Sequence, residues 1–387
     1  MPKLLGRLLR LVLLLAVVTA GVAFWKREEV TRLYAVMTLF EPDRIVQNFS
    51  HMDAAFLSVP LYIGTTAPLP LPPGPAATLP AETDAWVADR AITALVVLKG
   101  GQLVHESYYL GTGPLDRRIS WSVAKSFLSA LLGIELAEGK IASLDDPVTK
   151  YAPQLVGSAY EGASIRNVLN MASGVKFDED YLAFFSDINK MGRVIGLGGS
   201  LDDFAAGLSE RSAPPGTAWQ YVSIDTHVLG MVIRGATGRE IPDLMSEKLL
   251  VPLGLEVAPY YVTDGLRQAF VLGGLNLITR DYARFGLLFA NGGAANGQQI
   301  VPADWVEAST KATAPTASGA IGYGFQWWVP EGAAPGEFMA RGVYGQYIYV
   351  NRGLGVVIAV NAADRGFTAP GVAEANVAMF RAIANSL

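Results

Sequence analysis

The chain has 387 residues, of which 51% are hydrophobic and 17% charged, and a net charge of -5. Its length predicts roughly two to three domains or one large enzyme domain. The low charge excludes a disordered chain, and the acidic balance argues against a nucleic-acid partner because phosphate contacts need a basic face. The absence of cysteine excludes disulfides, thiolate nucleophiles and cysteine metal sites.

The N-terminus has the pattern of a membrane-targeting segment. Lys3, Arg7 and Arg10 precede an apolar run over residues 11–25, which a charged cluster then closes. Such a run spans about 22 Å, less than a hydrocarbon core of about 30 Å, so both a short anchor and a cleaved signal peptide are consistent with it. We expect residues 1–29 to be an uncleaved inner-membrane anchor. The positive charges before the apolar run favour an orientation in which the rest of the chain, called the body here, lies outside the cytoplasm. If the segment is cleaved, the body is exported.

Residues 30–83 are expected to form an extended arm. The stretch over 67–80 is rich in proline, which favours polyproline II and excludes the interior of a sheet. After the arm, the hydrophobic pattern continues without a second linker. We therefore expect one domain over residues 84–387.

The predicted elements of this domain run from strands through helices and back to strands. A hairpin over 93–98 and 103–110 comes first, followed by a helix over 122–137 that is apolar on nearly all sides and must be buried. Short helices and long loops follow. Later segments are expected to form three strands and a final helix: 324–329, 347–350, 355–360 and 369–384. Strands at both ends predict one sheet assembled from distant segments, with a helical region inserted between them.

Ser122 and Lys125 stand three residues apart at the start of the predicted buried helix, so they share a helix face. A serine hydroxyl needs a base, and burial favours the neutral amine that can take its proton. The alternative is that Ser122 is only an N-cap and Lys125 a residue that extends to solvent. The sequence contains no Gly-x-Ser-x-Gly elbow or P-loop, and its histidines lack metal-ligand spacing, so no metal or cofactor is predicted.

Five stretches, in order, carry a resemblance to a known family: residues 119–126, 138–147, 165–174, 215–217 and 280–286. With them, residues 84–387 resemble the class C branch of the penicillin-recognising serine enzymes, a β-lactamase-like superfamily. The chain is most similar to the 6-aminohexanoate-dimer (nylon oligomer) hydrolases and related carboxylesterases. The resemblance implies an α/β fold of the α+β type. An antiparallel sheet is flanked by helices, with an inserted helical subdomain and the active site between them.

The resemblance also implies roles for individual residues. Ser122 would form an acyl-enzyme, Lys125 and Tyr221 would carry its proton, and the backbone N–H groups of Ser122 and Val343 would hold the oxyanion. Six positions are expected to contact substrate: Ser223, Gly342, Tyr181, Asn276, Arg341 and Tyr344. Ala340 stands where the family has a basic residue, and the adjacent Arg341 would point to the opposite face of a strand.

These observations predict a serine hydrolase that cleaves a small-molecule ester or amide without a cofactor. A D,D-peptidase and a β-lactamase are the alternatives among enzymes, although the loss of the basic residue at Ala340 counts against both. A non-catalytic binding protein on the same fold is the alternative of another class. The sequence leads to no prediction of the oligomeric state.

Overall fold

The computed structural model describes residues 2–65 and 67–387. Its α-helices, in chain order, are α1 Pro2–Trp25, α2 Arg27–Met37, α3 Ile45–Asn48, α4 Met52–Ala55, α5 Thr83–Asp89, α6 Ala124–Ala137, α7 Ile165–Leu169, α8 Asp187–Gly196, α9 Leu201–Ala206, α10 Ser223–Thr237, α11 Ile241–Met245, α12 Val251–Leu253, α13 Thr279–Ala290, α14 Ala303–Ser309 and α15 Val372–Asn385. Short 3₁₀ and π turns lie between them: Trp121–Val123, Val148–Lys150, Pro153–Leu155 and Ser246–Leu250.

The strands are β1 Ser58–Pro60, β2 Ile92–Lys99, β3 Gln102–Tyr108, β4 Arg118–Ile119, β5 Tyr260–Val262, β6 Leu275–Leu277, β7 Ala294–Ala295, β8 Gln298–Gln299, β9 Gly322–Tyr323, β10 Trp328–Val329, β11 Glu337–Gly342, β12 Gln346–Asn351 and β13 Val356–Ala362. A seven-stranded antiparallel sheet has the order β3-β2-β13-β12-β11-β10-β9, and a smaller sheet has the order β1-β5-β6-β4.

The large sheet joins the two ends of the body. In it β2 pairs with β13, so that Val97 lies opposite Ile358. Alternate side chains of a strand point to opposite faces; Val97 packs in a core that contains Phe380 of α15, whereas Val96 packs in the larger core that contains α6. The sheet predicted from distant segments and the flanking helices are therefore confirmed.

The predicted elements agree with the observed ones to within a few residues in most places. The hairpin is β2 and β3, and the buried helix is the turn Trp121–Val123 followed by α6. The strand predicted over 324–329 is wrong except at its end, where Trp328 and Val329 form β10. Gln326 has a φ of 67°, a left-handed conformation that interrupts an extended run.

The expectation of an extended arm over residues 30–83 is wrong for its first half. This part contains most of α2, then α3, α4 and β1, and β1 pairs with β5. Leu39, Phe49 and Leu61 are buried in the larger core, because their apolar side chains meet strands and helices from much later in the chain. This half is therefore part of the body.

The Pro-rich second half follows the outer edge of β3. The backbone N–H of Leu103 donates to the carbonyl of Pro72, and those of Gly74 and Ala77 donate to Leu103 and Val104, all over 2.8 to 2.9 Å. The stretch thus covers the exposed edge of the sheet, which would otherwise present unpaired backbone groups.

Helix α1 is the most exposed apolar element. Its segment Leu5–Val22 has a mean hydropathy of 2.0 and no part of it is buried in the body. The helix is longer than the predicted run over 11–25, and its 24 residues span about 36 Å. By length and composition it could cross a membrane.

Candidate active site

Ser122 lies in the 3₁₀ turn Trp121–Val123 that leads into α6. The turn begins with Trp121 in a left-handed conformation, with φ of 43°, which costs free energy for a residue with a side chain. The backbone N–H of Ser120 donates to the carbonyl of Leu275 over 2.8 Å and so fixes the turn against β6. Ser122 faces a cavity at the start of a helix, where backbone N–H groups are free.

Lys125 is almost completely buried one turn further along, with 1% of its surface exposed. Its ammonium group donates to the carbonyl of Leu272 over 2.9 Å, and its Nζ lies 5.6 Å from the centre of the Tyr221 ring. Desolvation lowers the pKa of Lys125 to about 7, although the nearby carboxylates of Glu179 and Asp225 act in the opposite direction. The neutral amine that a general base requires is thus populated at neutral pH.

Tyr221 lies two residues before the start of α10 and close to Ser122. Burial raises the pKa of Tyr221 well above its usual value, although the neighbouring Ser122 hydroxyl acts in the opposite direction. The ring stacks on Trp328, with centroids 5.3 Å apart. Tyr221 therefore stays protonated near neutral pH and can donate a proton at the nucleophile.

Two buried carboxyl groups near Lys125 were not among the residues predicted from sequence. The backbone N–H of Ser223 donates to Glu179, and the Tyr160 hydroxyl donates to Asp225 over 2.7 Å. Burial raises the pKa of both, that of Asp225 to about 8. Asp225 lies in the first turn of α10, where acidic residues are common, and Glu179 belongs to a loop without a pattern, so neither stands out in the sequence.

The end of β11 lies directly against the turn that carries Ser122. A Cβ on Gly342 would come within 2.7 Å of the Ser120 carbonyl oxygen and 3.1 Å of the Ser122 backbone nitrogen. Val343 follows and lines the same cavity as Ser122. The side-chain amide of Gln346 donates to the carbonyl of Val343 over 3.3 Å and so holds the end of the strand. This arrangement requires glycine at position 342.

Three further predicted positions, Tyr181, Ser223 and Tyr344, line the cavity together with Ser122. Burial raises the pKa of Tyr181, and the neighbouring Glu179 carboxyl acts in the same direction. Tyr344 stacks on Phe40, with ring centroids 4.8 Å apart. The structure thus brings these side chains and the nucleophile to one surface.

Two of the predicted substrate positions do not reach this surface. Asn276 in β6 is fully buried, and its amide donates to the carbonyl of Gly274 over 2.8 Å. Arg341 lies over the ring of Trp328, 5.6 Å from its centre, on the strand face opposite to Ala340. Neither lines the cavity, so the structure does not bring these two residues to the surface that Ser122 faces. Ala340 itself is buried in the core.

The cavity in front of Ser122 has a volume of about 640 Å³, and most of the side chains around it are apolar. A charged residue, Arg193, also lines the cavity. The Arg193 guanidinium donates a hydrogen bond to the carbonyl of Phe184 over 2.8 Å. Among residues 2–65 and 67–387, no cluster of three or more His, Asp or Glu side chains could hold a metal ion. The site therefore combines a nucleophile, a buried amine and a phenol at the end of an apolar cavity.

The pattern of the Beta-lactamase family matches residues 84–380. This chain belongs to the beta-lactamase family. A 6-aminohexanoate-dimer hydrolase from Paenarthrobacter ureafaciens is 31% identical over 272 residues, which cover 67% of this chain and 69% of that protein. The predicted relationship to this family is confirmed, and the chain is a serine hydrolase of the β-lactamase fold.

Solved structures agree on the fold. A Bacillus anthracis protein assigned provisionally as a 6-aminohexanoate-dimer hydrolase superposes with a TM-score of 0.78 at 24% identity, covering 90% of this chain and 95% of that one. A D-stereospecific amidohydrolase from Streptomyces superposes with a TM-score of 0.56 at 22% identity, covering 72% of this chain and 91% of that one. The predicted α+β architecture is therefore confirmed.

Proposed function

We propose that this family member hydrolyses an ester or amide through an acyl-enzyme on Ser122. The observation that carries the proposal is the buried Lys125 amine, whose pKa is lowered to about 7 and whose Nζ lies 5.6 Å from the ring centre of Tyr221, a neighbour of Ser122. A base and a proton donor are thus available beside one hydroxyl. The alternative that Ser122 is only an N-cap does not account for a buried lysine.

In the proposed reaction, Ser122 Oγ attacks the carbonyl carbon and its proton passes to the neutral amine of Lys125. The oxyanion accepts hydrogen bonds from the backbone N–H groups of Ser122 and Val343. The proton then moves through Tyr221 to the leaving alcohol or amine, and the bond to the leaving group breaks. A water molecule attacks the acyl-enzyme by the same steps, which releases the acid and restores Ser122.

Substrate selection would follow from the cavity. Tyr181 and Ser223 would contact the scissile group and Tyr344 the part next to it, since all three line the cavity that Ser122 faces. Ala340 supplies no cation for a substrate carboxylate, which counts against an efficient D,D-peptidase or β-lactamase. A 6-aminohexanoate-like amide is the corresponding substrate on the amide side, in line with the name of the relative from Paenarthrobacter.

Location is part of the proposal. The exposed apolar helix α1 and the positive charges of Lys3, Arg7 and Arg10 support an anchor over residues 1–29, with the body outside the cytoplasm. Residues 84–387 would carry the catalytic groups. If the segment were cleaved, the body would be exported instead.

The experiment uses the full chain in detergent, because α2 lines the cavity. Wild type and Ser122→Ala are incubated with p-nitrophenyl acetate, a 6-aminohexanoate dimer, nitrocefin and a fluorophosphonate probe. We expect ester or amide turnover and covalent labelling that Ser122→Ala abolishes, with little nitrocefin cleavage. Rapid nitrocefin hydrolysis would establish the β-lactamase instead. A protein without turnover or label would be the non-catalytic binding protein.

A further inference from the structure

One wall of the cavity is built by the helix that directly follows α1. Helix α2 begins at Arg27, two residues after α1 ends at Trp25. Leu33, Val36 and Met37 of α2 line the cavity that Ser122 faces. A helix able to cross a membrane therefore leads straight into an apolar wall of the catalytic cavity.

Helix α8 connects this wall to the rest of the cavity. A Cβ on Gly196 of α8 would lie 2.9 Å from a methyl group of Val36, so α2 and α8 are in direct contact. On the cavity side, Ile188, Met191 and Ile195 of α8 are also lining residues. The apolar surface is thus continuous from α2 across α8.

The rim of the cavity carries large apolar side chains that have no cover in the described part of the chain. Leu182, Phe184 and Phe185 are 78%, 65% and 78% exposed, and the first two also line the cavity. The loop is held in shape, because Asp180 accepts from the N–H of Leu182 over 2.9 Å and Asn189 donates to the carbonyl of Ala183 over 2.9 Å. A fixed patch of this kind marks a contact surface for an apolar partner.

We infer that the cavity binds the hydrocarbon chain of an amphiphilic ester or amide, which enters from the membrane that carries α1. The inference rests on the proposed hydrolysis at Ser122 and adds the class of its substrate. The hydrocarbon chain lies against Val36 and Met37 while the scissile carbonyl reaches Ser122. The apolar rim at Phe184 and Phe185 meets the bilayer surface from which the substrate comes.

The first test measures chain-length preference. The full chain, in one detergent at fixed concentration, is assayed with p-nitrophenyl acetate, butanoate and octanoate. We expect kcat/KM to rise by up to about fourfold for each added methylene, the factor that corresponds to burying one CH₂ group. In Met37→Glu, which places a charge at a lining position that is 75% exposed, the octanoate-to-acetate ratio should fall at least tenfold.

Val156→Glu is the matched control, since Val156 is 62% exposed and does not line the cavity. Its octanoate-to-acetate ratio should equal that of wild type. Hydrolysis of acetate that depends on Ser122 but shows no gain with chain length would overturn the inference and leave the proposed function standing. If Ser122→Ala and wild type are equally inactive on every ester, the proposed function fails with it.

The second test identifies the source of the substrate. The full chain is reconstituted in phosphatidylcholine vesicles, and a fluorogenic long-chain ester is placed in the same vesicles or in separate ones. We expect hydrolysis at least tenfold faster when enzyme and ester share a bilayer. Equal rates in the two arrangements would overturn entry from the membrane.

Discussion

Two segments meet at the candidate site, and they depend on the sequence in different ways. The turn Trp121–Val123 with the start of α6 supplies side chains, a hydroxyl at Ser122 and an amine at Lys125. The end of β11 supplies backbone, because a side chain at Gly342 would collide with the nucleophile turn. With Ala340 at the position where the family motif was expected to carry a basic residue, the strand still reaches the site. Substitutions on the first segment should therefore reduce activity by removing a side chain, and those on the second by displacing the backbone.

The largest effect is expected on the first segment. Lys125→Met removes the base and should lower kcat/KM by about 10³-fold, within the range of 10² to 10⁴ that proton transfer contributes. Lys140→Met, a change at an exposed lysine beyond the end of α6, is the control and should retain wild-type turnover. Steady-state kinetics with a p-nitrophenyl ester measure both. Activity in Lys125→Met within tenfold of wild type would exclude Lys125 as the base.

A backbone effect is expected on the second segment. Gly342→Ala places a Cβ 2.7 Å from the Ser120 carbonyl oxygen, so β11 must shift and carry the N–H of Val343 away. Loss of one oxyanion donor should lower kcat by about 10²-fold. Gly353→Ala, where the nearest atom would be 3.5 Å away, is the control. Equal kinetics in the two variants would show that close approach of β11 does not matter.

The pH profile tests the amine without a substitution. Desolvation lowers the pKa of Lys125 to about 7, so the amine is mostly protonated at pH 6 and mostly neutral at pH 8. Because the neutral form is the base, kcat/KM should rise about tenfold over this range and then level off. Circular dichroism at each pH checks that the fold is retained. A flat or falling profile would contradict the assignment.

The smallest effect is expected at Arg341. Its guanidinium lies over the ring of Trp328 and does not line the cavity. Arg341→Met should therefore change kcat/KM for an uncharged ester by less than about fivefold, since a partly exposed cation–π contact contributes only about 0.5 to 1 kcal/mol. A loss of a hundredfold or more would restore Arg341 as a substrate-binding residue.

The sequence predicted what depends on local pattern. The apolar run identified α6, and the spacing and order of known blocks selected Ser122, Lys125 and Tyr221. The direction of Asn276 was not predictable in this way, because it depends on how β6 pairs in the small sheet. Glu179 was missed because its contact with the backbone of Ser223 joins residues 44 positions apart.

The burial of apolar side chains within residues 38–61 was missed for a similar reason. Their apolar side chains are spaced irregularly, and their partners, such as the strand β5, come about two hundred positions later. Composition showed the proline-rich half correctly as extended, but it could not show that this half follows the edge of β3. Long-range pairing is the part of the fold that no local pattern encodes.

The segment before the family region also supports the nucleophile. The Arg118 guanidinium, which is fully buried, donates to the Ser50 hydroxyl over 2.6 Å, and the N–H of Ile119 donates to the carbonyl of Phe49 over 2.9 Å. A soluble form trimmed at residue 84 would lose these supports together with the α2 wall. A proteolytic cut that removes α2 together with α1 would thus alter the candidate active site, whereas a cut before Arg27 would leave these contacts in place.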